Sequence, residues 1–398
     1  MAELPAGVSL DGGLDESNAV TVALWNNAAF QENVARLGLA RADLAQAGML
    51  ANPTLSMLFP LGPKQLEFAA TLPLEALWLR PKRQAIAEVE AERVAQGLVQ
   101  TGLDLVRDVK AALSDYALAV DREAIGVRAL EVREQLSSIA ASRLRLRDIS
   151  ELDATSAQVE RERARDDARR FTQERAILRE RLAALLGWPL DERVAISVGR
   201  VPVGLPPLAM LETKALAARP DLRASELALE AAGKRAGLAQ AEVFTLSGII
   251  DANAKGSEGF EMGPGVSLPI PIFNQNQPAK MRAQAELERA RWNYWGVRQR
   301  IAAEVRESRL KVEAASGALT LYEQRVLPPM EELGRVTRSA FELGEISPQL
   351  VQENARQMLL VQLRRAELLA ELRRAWAELE RSVGVSAKYF INDHSNSP

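Results

Sequence analysis

Two hydrophobic periods alternate along the 398 residues of this chain, and each occurs twice. From Arg83 to Leu146 there is no proline, and apolar residues recur at three and four spacing, as at Leu98, Leu103, Val106, Val109 and Leu113. That is the period of one helical face. A helix over this stretch has about 64 residues and a length of roughly 96 Å at 1.5 Å per residue. Runs of the same period predict shorter helices over 28–47, 150–187, 220–243 and 348–383, and a second long one over 279–343. Pro328-Pro329 lies inside the latter and predicts a kink or local break. Each half thus reads as one long helix antiparallel to two shorter ones stacked end to end.

Between the helices the period falls to two. Leu246, Gly248, Ile250, Ala252 and Ala254 alternate with Thr245, Ser247, Asp251, Asn253 and Lys255, and Ile249 is the exception. After Gly256-Ser257-Glu258-Gly259, Phe260, Met262, Val266, Leu268, Ile270 and Ile272 alternate with Glu261, Gly263, Gly265 and Ser267. The segment 244–273 is therefore a predicted β-hairpin with strands of about 11 to 13 residues, long enough to cross a bilayer at a tilt. A shorter insert at about 52–76 repeats the pattern with Leu55, Met57 and Phe59, a turn at Pro60–Gln65, then Leu66, Phe68, Ala70, Leu72 and Leu74. Four strands cannot close a barrel, and open edges are not tolerated in hydrocarbon, so insertion requires several chains. The alternative is a soluble coiled-coil scaffold whose hairpins are caps and whose helical tips bind partner proteins.

The two halves are copies. Asp148-Ile149-Ser150 returns as Glu345-Ile346-Ser347 and Leu186-Gly187 as Val383-Gly384, both at a separation of 197 (345 − 148 and 384 − 187). Ala23-Leu24 and Phe30 match Ala215-Leu216 and Leu222 at 192 (215 − 23 and 222 − 30). Such a period marks duplicated supersecondary units. The predicted organisation is an N-terminal segment 1–27, a first repeat 28–208 with its linker at 188–208, a second repeat 209–384, and a tail 385–398. The tips carry suitable end chemistry. Arg143, Arg145 and Arg147 close one helix, and Asp148, Ser150, Glu151 and Asp153 open the next. In the second copy Gly344 follows the long helix, and Ser347-Pro348 supplies an N-cap followed by proline. The fold class is mainly α with a small β part.

Composition narrows the function. Charged residues are 26% of the chain and aromatics 5%, which suits thin Ala and Leu layers between long helices. A formal charge of −3 gives no case for nucleic acid. No cysteine is present, no stretch of about 18 apolar residues offers a transmembrane helix, and no catalytic, cofactor-binding or metal-ligating constellation appears, so no enzyme is expected. Met1-Ala2-Glu3-Leu4-Pro5 lacks a secretory signal, so the sequence as it stands reads as unexported or as a mature form. Trp292 and Trp295 are three apart on a helix and read as core packing, with anchoring at a membrane interface the alternative. His394 sits in a polar tail and reads as incidental.

In this order the motifs resemble the TolC-type outer membrane efflux family. The residues that carry the likeness are Arg219-Pro220-Asp221-Leu222-Arg223, Gly265-Val266-Ser267-Leu268-Pro269-Ile270-Pro271-Ile272-Phe273, Val326-Leu327-Pro328 and Phe341-Glu342-Leu343-Gly344-Glu345-Ile346-Ser347. The likeness runs from about Leu14 to Gly384. It implies a homotrimer with a twelve-stranded barrel in outer membrane lipid and a helical tunnel across the periplasm. It further implies passive conduction, opened at the tip by a periplasmic adaptor (membrane fusion protein) that links to an inner-membrane pump. The segment from Gly265 to Asn276 looks most like the heavy-metal and cation branch.

By position, the resemblance puts Asp153 and Glu353 on acidic gate sites of the two hairpins, with Glu345 and Asp148 assisting. Leu350 stands where some relatives have an acid. It also assigns adaptor docking to Arg143, Arg147, Ile149, Ser150, Leu343, Gly344, Ile346 and Ser347. Against the gate reading, a carboxylate in a first turn ordinarily caps the helix and complements its dipole.

Overall fold

A computed structural model describes residues 3–9, 13–59, 66–191, 193–254, 259–343 and 345–391. The turn expected at Pro60–Gln65, most of the turn before Phe260, Gly344 and His394 lie outside them. In chain order the elements are α1 (Glu16–Asn26), α2 (Ala28–Ala47), β1 (Thr54–Leu58), β2 (Leu66–Pro73), α3 (Ala76–Arg145), α4 (Glu151–Leu186), α5 (Leu208–Ala218) and α6 (Pro220–Ala241). There follow β3 (Ser247–Ala254), β4 (Phe260–Ser267), α7 (Gln277–Leu321), a π-turn (Tyr322–Val326), α8 (Leu327–Glu342), α9 (Pro348–Val383) and α10 (Ala387–Ile391).

The first long helix begins at Ala76, not Arg83, and runs through Pro81. Proline cannot donate to the carbonyl four residues back, which here is that of Leu77, an exposed residue where water can serve instead. In the second copy the wide turn falls immediately before Pro328-Pro329, with the Leu327 N–H reaching the Tyr322 carbonyl. Two successive prolines leave two carbonyls without helical donors, and a π-turn absorbs the mismatch without ending the helix. Helices α1 and α5, eleven residues each, occupy stretches where periodicity predicts no element.

The chain forms two compact units. Residues 1–31, 101–218 and 301–398 make one. In it Leu14, Val22, Val109, Leu113, Leu182 and Leu186 form a core. The Leu14 N–H donates to the Ala195 carbonyl at 2.7 Å and Ser197 returns a bond to Leu14 at 2.9 Å. Leu118, Ile125, Ala366 and Ala370 form a second, thinner layer. A Cβ at Gly126 would come within 2.6 Å of Phe171 Cδ2, so only glycine permits that approach of α3 and α4.

Residues 32–100 and 219–300 make the other unit. It holds an antiparallel sheet of order β1-β2-β3-β4, and Val89 packs with Leu227 and Ala231 among its helices. Strands β3 and β4 have eight residues each, shorter than the 11 to 13 expected of that hairpin, and in the shorter first insert β1 has five and β2 eight. Pairing stops at Ser267 because Pro269 and Pro271 follow, and neither has an N–H to give a ladder.

Candidate functional site

The register turns the alternation of each strand into two continuous faces. Leu55 pairs with Ala70, Ala70 with Ile250, and Ile250 with Pro264. The next such row is Met57, Phe68, Ala252 and Met262. Since side chains alternate across a pleated strand, these rows share one apolar face. In the single chain Leu55, Met57, Ile250 and Met262 are exposed, Met262 at 68%, while Phe68 and Ala70 are half-buried and the small Ala252 is covered by its neighbours. The opposite face carries the row Ser56, Ala69, Asp251 and Gly263, and the row Leu58, Glu67, Asn253 and Glu261. Asp251 Oδ2 accepts from Asn253 Nδ2 at 2.6 Å. Leu58 and Ile249 are the apolar intruders there. Among the described residues β1 and β4 each pair on one side only. An apolar face with two free edges is an association surface.

The helical tips lie in the first unit. At tip one, Arg147 takes the left-handed conformation (φ 60°). The Asp148 N–H donates to the Arg143 carbonyl at 2.9 Å, and the Arg147 N–H to Leu144 at 2.9 Å. These are the two bonds of a Schellman cap, which ends the helix sharply. Ser150 then opens α4 through a capping box: its Oγ accepts from the Asp153 N–H at 3.1 Å, and its own N–H donates to Asp153 Oδ2 at 3.4 Å. Asp153 Oδ1 also accepts from Gln349 Nε2 of the second hairpin at 2.6 Å. At tip two the Glu345 N–H donates to the Ala340 carbonyl at 2.9 Å, and Ser347 caps α9 without a side-chain bond.

The structure therefore places the four acids differently. Asp153 is tied into a cap and a link between hairpins. Glu353 is on the surface, 3.7 Å from Arg356, and accepts from Gln357 at 3.0 Å. Asp148 and Glu345 are exposed in the turns. Among the docking residues, Arg143 joins the two tips: its Nη2 donates to the Phe341 carbonyl at 2.7 Å, and its guanidinium sits 4.6 Å above the Phe341 ring. Ile149 and Ile346 are half-buried, while Ser150 and Ser347 are exposed. Leu343 is 74% exposed and its counterpart Leu146 is 79% exposed, and Leu152 and Leu350 at the starts of the return helices are exposed as well, so each tip presents leucines to solvent.

Sequence reasoning missed the residues that hold hairpin to hairpin. Arg133 is buried and donates to the Gln352 carbonyl at 3.0 Å. Its signal was a charge on the stripe that also buries Ile125, Ser137 and Ala140. Trp292 and Trp295 are 68% and 45% exposed in the single chain, contrary to the packed position expected. The Trp295 ring meets Tyr294 edge-on at 5.9 Å, and Arg298 lies 5.6 Å over it. No helix among the described residues is long and apolar enough to cross a membrane.

Residues 211–385 match the family described as outer membrane efflux protein. The chain is 22% identical, over 94% of its length and 90% of the relative's, to the cobalt-zinc-cadmium resistance protein CzcC of Cupriavidus metallidurans. Among solved structures it is similar in fold to CusC, described as forming a transmembrane channel. The TM-score is 0.77 at 19% identity, with 93% of this chain and 92% of that one covered. The outer membrane protein VceC of Vibrio cholerae gives 0.78 at 18% identity, with 93% and 96% covered.

Proposed function

We propose that the chain is a TolC-type outer membrane efflux protein, as its family match and relatives favour, and that three copies form the outer channel of a tripartite efflux pump. It lies in the outer membrane and extends into the periplasm, and it belongs to a family of channels, not of enzymes. Four strands from each of three chains give a twelve-stranded barrel, with the Met57–Met262 face toward lipid and the Asp251 face toward the lumen. The observation that carries this reading is the sheet itself, apolar on one exposed face and unpaired at both edges. A soluble scaffold leaves that face unexplained.

The helical hairpins of three chains line the periplasmic duct, and conduction is passive. The gate is the ring of Asp153, Glu353, Glu345 and Asp148. The tips, from Arg143 to Ser150 and from Leu343 to Ser347, dock a periplasmic adaptor that joins an inner-membrane pump. Likeness to a cobalt-zinc-cadmium resistance protein favours metal cations as cargo.

Because the chain has no cysteine, a pair placed on the free edges tests closure cleanly. Cysteines at Ser56 in β1 and Gly263 in β4 are expected to give disulfide-linked dimers and trimers in detergent on oxidation. Monomer alone, with no conductance in planar bilayers, overturns the barrel. Crosslinkers at Ser150 or Ser347 are expected to capture the adaptor, and no adduct removes the docking role.

A further inference from the structure

In the first unit a groove of about 680 Å³ runs between the α3/α4 hairpin and the α8/α9 hairpin. Arg128, Arg133, Arg163, Arg335, Arg338 and Arg356 line it, against the acids Glu160, Asp167 and Glu331. Val132, Leu136, Val351 and Leu359 supply an apolar wall. Arg163 and Arg335 are held by Glu160 and Glu332 at 2.8 and 2.6 Å. Arg128 and Arg338 form no ion pair with any described residue, and both are exposed.

Arg133 is different in kind. It is 7% exposed, its Nη2 donates to the Gln352 carbonyl, and Glu160 Oε2 stands 3.9 Å away. Its Nη1 is buried with no hydrogen-bond partner. Buried polar groups are almost always met by an acceptor, and a charged donor left unmet is among the costliest exceptions. A guanidinium prefers a planar or tetrahedral oxyanion that can take two of its N–H groups. The apolar wall beside it selects a ligand with a hydrocarbon body.

We propose that this groove binds an amphipathic organic anion. Its carboxylate or sulfonate meets Arg133 Nη1, Arg128 and Arg338 add long-range attraction, and its apolar body lies on Leu136 and Leu359. Ligand would then bridge the two hairpins that Arg133 already joins. The proposal is independent of the channel reading, and its failure leaves that reading intact.

The test is titration of the full chain, reconstituted in nanodiscs of neutral lipid, with sodium octanesulfonate by calorimetry. Saturable binding at one site per chain is expected, weakened at least tenfold by Arg133→Gln and by the double substitution Arg128→Gln/Arg338→Gln. Octyltrimethylammonium, with the same tail and opposite charge, is expected to show no saturable component. Should Arg133→Gln misfold, the exposed double variant decides alone, since equal affinity there overturns the site. A groove that holds only water, or one reserved for an acidic side chain of another protein, gives no saturation with the sulfonate and also overturns it.

Discussion

At tip one the chain reverses through Arg147 in the left-handed region and restarts on the Ser150–Asp153 box. At tip two, 197 residues later, the equivalent places hold Gly344, Ser347-Pro348 and Leu350 (147, 150 and 153 each plus 197), and Ser347 makes no side-chain cap. The helix joints differ in the same way. Asn27 caps α2 by accepting from the Phe30 N–H at 3.0 Å and donates to the Leu185 carbonyl at 2.8 Å. Its counterpart 192 residues on is Arg219, followed by Pro220 at the first helical position and by Asp221, which takes two bonds from that arginine at 2.9 and 2.6 Å. One layout is thus closed by side-chain acceptors in the first copy. In the second it is closed by proline and by an ion pair. A carboxylate that is already a cap is less free to act as a gate, so the proposed gating role falls to Glu353 more than to Asp153.

The largest effect is expected where the second copy relies on charge. Arg219 has a side chain only 1% exposed and gives two short bonds to Asp221, so Asp221→Ala removes two charge-assisted hydrogen bonds from a buried guanidinium. The expected loss is about 3 kcal/mol, read as a lower denaturation midpoint. Burial acts to raise the Asp221 carboxyl, but the hydrogen bonds and charge of Arg219, the Leu222 N–H and Arg300 outweigh it and hold it below the usual range. The folded value is the lower one, so the pair stabilises fully above the ordinary carboxylate value and its contribution fades as pH falls through the folded value. Asp221→Asn should flatten that acid limb, and an unchanged limb would discount the pair. Next in size is Asp153→Ala, which removes the box and the Gln349 link together. About 1 to 2 kcal/mol is expected, seen as faster hydrogen exchange over 151–156. Leu350→Ala at the equivalent place should leave the start of α9 unchanged.

Much of this was legible because periodicity reports which face is buried. The return helices over 150–187 and 348–383 are found at Glu151–Leu186 and Pro348–Val383, since a serine and a proline or acid mark each start. The strands were read too long, because alternation continues through Leu268, Ile270 and Ile272 although proline has removed the donors that pairing needs. Helix α1 has an Asp15 cap that donor counting could have found, with the Asn18 N–H at 2.7 Å. The links from Arg133 and Arg143 to carbonyls of the other hairpin were not legible. They join residues about 200 positions apart, and a backbone acceptor leaves no mark in sequence.

The smaller effects sharpen the comparison. Arg147→Gly gives tip one the residue that tip two has, relieving a left-handed conformation that disfavours a Cβ. A gain of about 1 kcal/mol in local protection is expected, and loss of protection would mean that the arginine side chain holds the turn. The smallest effect on stability belongs to Glu353→Gln. Its ion pair with Arg356 is surface-exposed and worth only about 0.3 kcal/mol. In the proposed trimer three copies of this carboxylate face the pore and favour cations, so this variant should melt like the parent while its cation-over-anion permeability falls in planar bilayers. Asp153→Ala should do the reverse, costing stability with less change in selectivity, because its carboxylate already serves the cap and Gln349. If Glu353→Gln leaves permeability unchanged and Asp153→Ala alters it, the difference between the tips is one of stability only, and the gate lies with the first copy.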